Sequence, residues 1–166
     1  SMVANATHLW ATTGSSGQGA SGTGLLQGTF MADGTVEWEF GWTLPGNTVA
    51  GDLHLHGTDL FIASTPGGML KLDTQTRIIS QVGGSLHGKL DTMHVYNSQL
   101  VVGLAGDGGS PPGVQMFNPL TSQFGNGRLI SGLPSNIVNG FTETSDVLYI
   151  ATDGGIGRWN YTTDDW

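Results

Sequence analysis

Short apolar runs, each closed by turn residues, recur along the chain and set its period. Leu60-Phe61-Ile62-Ala63-Ser64, Leu100-Val101-Val102-Gly103-Leu104 and Leu148-Tyr149-Ile150-Ala151-Thr152 are apolar at nearly every position. Such runs predict strands of a sheet covered on both faces. Thr58-Asp59, Asn97-Ser98 and Ser145-Asp146 precede them and predict tight hairpins. Pro66-Gly67-Gly68 and Asp153-Gly154-Gly155 follow two of them, where a turn with positive φ requires glycine. The runs 32–34 and 73–76 then lead into predicted fourth strands over 35–40 and 77–82.

These strands belong to a longer repeat. Leu44-Pro45-Gly46-Asn47-Thr48-Val49 and the strand pair after it align with Leu133-Pro134-Ser135-Asn136-Ile137-Val138 and its successors. Equivalent leucines Leu9, Leu60, Leu100 and Leu148 recur at intervals of 51, 40 and 48 residues. A propeller blade takes about 40–50 residues. The fold class is therefore all-β, with about four propeller-type blades of four antiparallel strands, in units of about 2–43, 44–85, 86–131 and 132–166. The last unit lacks its fourth strand. Either a small ring closes, with an N-terminal strand completing the last blade, or the chain is part of a larger ring whose open edges self-associate.

Composition narrows the function classes. With 166 residues and 37% hydrophobic content the chain is the size of one globular domain, and no apolar run approaches the ~20 residues of a spanning helix. Membrane insertion is not expected. Ser1-Met2 reads as a remnant of cloning, so the start of the chain is not taken as a native terminus. A net charge of −8 repels phosphate backbones, so nucleic acid is not expected as a partner. Only 11% of residues are charged while 28 are glycine, which favours turn-rich β structure. The absence of cysteine removes disulfides and thiolate chemistry.

Gly132-Leu133-Pro134-Ser135-Asn136-Ile137-Val138, then Leu148-Tyr149-Ile150-Ala151-Thr152-Asp153-Gly154-Gly155-Ile156 and Trp159-Asn160, resemble the two-component-regulator propeller repeat. That family typically reads Gly-Leu-Pro-x-Asn-x-Val, a strand, then Trp-Ile-Gly-Thr-x-Gly-Gly-Leu. The resemblance is best over 132–160 and weaker over 44–73. Tyr149 and Phe61 replace the usual Trp, and Ala151 and Ala63 the usual Gly. The resemblance implies a sensory region outside the cytoplasm, of the kind found in bacterial hybrid sensor kinases and often tied to carbohydrate responses.

Candidate chemistry is sparse. His54 and His56 alternate onto one strand face, a spacing open to two metal ligands, and His94 falls at the same place one unit later. No carboxylate shares that motif, so hydrogen-bonded packing is the plainer alternative, and no metal or cofactor is expected. Trp38, Trp42 and Trp166 are candidates for stacking on a sugar or for a subunit contact, whereas Trp10 and Trp159 sit in strands and read as core. Asp107-Gly108-Gly109 and Asp153-Gly154-Gly155 lack the tandem acidic spacing of calcium loops. No serine lies in a nucleophile motif, and Glu37, Glu39 and Glu143 are the only glutamates. The expected function is a non-enzymatic binding or sensor module for a small polar or carbohydrate ligand. A carbohydrate-active propeller enzyme and a self-assembling structural fragment are the alternatives.

Overall fold

The computed structural model describes residues 1–13, 24–45, 48–65, 68–83, 89–96, 98–105, 113–125, 133–135, 137–160, 163 and 165. Their strands form four separate antiparallel sheets in chain order. Sheet A holds β1 (Met2–Ala4), β2 (His8–Thr12), β3 (Leu25–Phe30) and β4 (Val36–Trp42). Sheet B holds β5 (Val49–His56), β6 (Asp59–Thr65), β7 (Gly68–Asp73) and β8 (Ile79–Val82). Sheet C holds β9 (Lys89–Tyr96), β10 (Gln99–Ala105), β11 (Gly113–Asn118) and β12 (Gln123–Phe124). Sheet D holds β13 (Val138–Glu143), β14 (Val147–Thr152) and β15 (Gly155–Asn160). No helix among the described residues is long and apolar enough to cross a membrane.

Local chemistry sets the corners. Asp33 Oδ1 accepts the Thr35 amide and hydroxyl hydrogens, at 2.9 and 2.6 Å, and Asp73 Oδ1 accepts the amides of Gln75 and Thr76, both at 2.9 Å. These Asx turns hold the chain before β4 and β8, so both strands begin slightly later than the pattern predicts. The β5–β6 hairpin also turns one residue earlier, at Gly57-Thr58, because Gly57 supplies a φ of +61° where His56 pairs with Asp59.

Each sheet packs its forward face, the one turned toward the next sheet, onto the backward face of its successor. Three cores result. Trp10, Leu25 and Trp42 of sheet A meet Leu60, Ile62, Leu70 and Leu72 of sheet B. Phe61, Ala63 and Met69 of sheet B meet Leu100, Val102, Leu104 and Phe117 of sheet C. Tyr96, Val101 and Val114 of sheet C meet Leu148, Ile150 and Trp159 of sheet D. A fully buried Leu, Ile or Phe contributes about 1.5–3 kcal/mol, so these cores hold the stack together.

The sheets do not close into a ring. β1 pairs with β2 in sheet A, with Val3 opposite Trp10, rather than completing sheet D. The innermost strands touch in series, β1 on β5, β5 on β9 and β9 on β13, with no comparable contact from β13 to β1 among the described residues. Beyond β15, Asp165 bridges to Asn160.

Candidate functional site

The innermost strands bring the histidines to the seams between sheets. On β5, Leu53 and Leu55 pack backward into the first core, which leaves Asp52, His54 and His56 on the forward side, facing sheet C. Asp52 Oδ2 accepts the Met93 amide hydrogen at 2.9 Å and so ties β5 to β9. His54 and His56 lie with ring centroids 6.5 Å apart. Burial holds the His54 pKa below its ordinary value, and repulsion from His56 lowers it further. His54 is therefore neutral at neutral pH, with one ring nitrogen to donate and one to accept.

His94 occupies the equivalent place on β9 and faces sheet D. Its ring stacks on Phe141 at 6.3 Å. Its Nε2 is shut off from solvent, makes no hydrogen bond among the described residues, and stands 3.8 Å from Glu143 Oε2, beyond hydrogen-bond reach. The two histidines thus turn toward successive seams rather than side by side. Leu53, His54, Met93, His94, Val95 and Leu100 line one cavity of about 210 Å³. No group of three or more His, Asp or Glu side chains among the described residues is placed to hold a metal ion.

The tryptophans lie elsewhere. Trp42 is buried in the first core and donates its Nε1 hydrogen to the Arg77 carbonyl oxygen at 3.4 Å, so its ring offers no stacking surface. Trp38, on β4, is 50% exposed. Trp166 and the 107–109 loop lie outside the described residues. Asp153 Oδ1 accepts from Asn139 Nδ2 at 2.7 Å, and Gly154 sits so close to the Pro134 carbonyl that a Cβ would meet it at 2.5 Å. That corner is a packed turn.

Sequence reasoning passed over Met93, Val95 and Asp52, and it weighed Glu143 only as a catalytic group. The 40-residue spacing of His54 and His94 signalled the shared strand position. Glu143, one residue beyond the equivalent Thr142, needed the register of β13 against β14 to be placed.

The sequence matches no protein-family model and no curated protein. Among solved structures the chain is similar to the extracellular domain of BT4673 from B. thetaiotaomicron, described as a hybrid two-component system. That match has a TM-score of 0.69 and 19% identity, and it covers 99% of this chain and 21% of that one. It is also similar to the computationally designed Ika8 protein, at a TM-score of 0.56 and 11% identity over 96% of this chain and 44% of that one. BamB from Moraxella catarrhalis gives 0.52 and 16% over 96% and 42%. The chain thus spans less than half the length of each of these three. Likeness at such identities establishes the propeller-type fold, and function has to be argued from the site.

Proposed function

We propose that the chain is a non-enzymatic, propeller-type binding module of an extracytoplasmic sensor, with a small polar ligand such as a sugar held at the β5–β9 seam. The observation that carries this reading is the cup lined by Leu53, Met93, Val95 and Leu100 with His54 and His94 in its wall. The cup's open lining is mostly polar, and a concave site with polar groups in its wall is suited to a polar ligand. A neutral His54 serves a sugar hydroxyl as donor or acceptor. At about 210 Å³ the cup falls below the ~300–1,000 Å³ of drug-sized sites, which selects a small occupant. The likeness to extracellular domains of two-component systems supports a sensory role outside the cytoplasm.

Calorimetric titration of a panel of mono- and oligosaccharides tests the reading. Binding is expected, weakened about tenfold or more by His54→Ala, which removes a hydrogen bond and leaves its partner unpaired. Absence of binding across the panel would overturn the site, as would affinity unchanged in His54→Ala. Turnover of a sugar that is lost in Glu143→Gln would replace binding by catalysis.

A further inference from the structure

The four sheets share one pattern, and its two ends are uncovered. Position by position along the second strands, the forward faces carry Trp10, Phe61, Val101 and Tyr149. The first three are at most 1% exposed, while Tyr149 remains half-buried. On the third strands the equivalents are Leu25, Met69, Val114 and Ile156, at 0%, 0%, 3% and 70% exposure. The backward faces mirror this. Leu60, Leu100 and Leu148 are at most 1% exposed, whereas Leu9 is half-buried. The paired positions behind Leu9 are apolar, with Ala4 exposed, Trp38 50% exposed and Leu26 beside them.

We infer that the forward face of sheet D docks on the backward face of sheet A in a second copy of this chain, head to tail. The chain makes this kind of contact three times within itself, so both halves of a fourth are already present on one molecule. Tyr149, Ala151 and Ile156 stand where Phe61, Ala63 and Met69 enter the second core. Leu9 stands where Leu60 receives its neighbour. Two of the solved structures leave room for the same occupant. The chain spans 44% and 42% of two propeller-like chains that it fits, so a second copy supplies most of what a ring of that size still needs. A head-to-tail contact made twice closes with two-fold symmetry and leaves no apolar face open.

Light scattering on the full chain over a wide concentration range tests this. The expected mass is twice the 17.3 kDa of one chain. Ile156→Lys and Trp38→Glu, both at exposed positions, should each leave the β circular-dichroism spectrum and the fold intact. Each should raise the dissociation constant more than about tenfold. Ala4→Glu, at an exposed position paired with Leu9, is the second variant for sheet A, should Trp38→Glu disturb packing against Gly28. Mixing Ile156→Lys with Trp38→Glu should restore the dimeric mass. One contact is then native, and the other sets the introduced ammonium and carboxylate on facing sheets. A monomer at every concentration would overturn the inference and leave the faces to a different polypeptide. A dimer indifferent to both substitutions, or a mixture that stays monomeric, would overturn it equally.

Discussion

Sheets B and D have similar second strands, paired with their third strands in the same register, and opposite environments on their forward faces. Leu60-Phe61-Ile62-Ala63 runs parallel to Leu148-Tyr149-Ile150-Ala151, and both strands pair with a third strand in the same register. Phe61, Ala63 and Met69 are fully buried, yet Ala151 and Ile156 are exposed. The difference lies in the neighbour, since sheet C covers B and no described element covers D. Stability in a stack of repeats is close to a sum of unit and interface terms. Sheets B and C are held by two cores each, and A and D by one.

The largest expected effect follows from that asymmetry. Phe61→Ala removes a ring that meets Phe117 edge-on at 5.2 Å in the second core, and should destabilise the chain by about 3–5 kcal/mol. Tyr149→Ala, made in the Ile156→Lys background so that copies stay apart, should cost less than about 1.5 kcal/mol, because its forward side meets no core. Urea denaturation of the two variants measures the difference. Equal losses would mean that the face of sheet D is covered within one chain, which would break the comparison.

A smaller effect sharpens it at the fifth position of the second strand, occupied by Gly103 in sheet C and Ala151 in sheet D. A Cβ on Gly103 would meet Thr92 Cγ2 and Val138 Cγ1 at 2.8 Å each, so sheets C and D approach there as closely as a missing side chain allows. Gly103→Ala should cost about 1–3 kcal/mol through overpacking. Ala151→Val, made in the Ile156→Lys background where this β position is exposed, should stay within about 0.5 kcal/mol. Thermal melts suffice to separate the two.

What was legible beforehand follows from which forces act along the chain and which act across it. Strand runs, turn chemistry and the spacing of Leu9, Leu60, Leu100 and Leu148 are local, and they led to four antiparallel units and to Trp10 and Trp159 as core. Tyr149 and Phe61 look alike in sequence because each continues the same alternation, and only the missing partner sheet tells them apart. Trp42 misled for the same reason: it ends a strand that looks peripheral, while its ring turns into the seam beneath Arg77. The cup at β5–β9 needed the stacking of sheets, which no spacing within one unit encodes.

The smallest effect carries the same comparison to the innermost strands, where His54 of sheet B and Thr142 of sheet D hold equivalent places. His54 is half-buried against sheet C, and Thr142 is exposed. Burial lowers the His54 pKa below 6.5, so the unfolded chain binds the proton more readily than the folded one. The associated stability is fully present above pH 6.5 and falls as pH drops toward the folded value, below which no more is lost from this group. His54→Gln should flatten that part of the pH–stability curve in urea titrations, even though the exposed carboxylates still respond at lower pH. A histidine placed by Thr142→His, made in the Ile156→Lys background so that no sheet lies ahead of it, should titrate near 6.5 by nuclear magnetic resonance. A depressed value there would mean that the forward face of sheet D is as covered as that of sheet B.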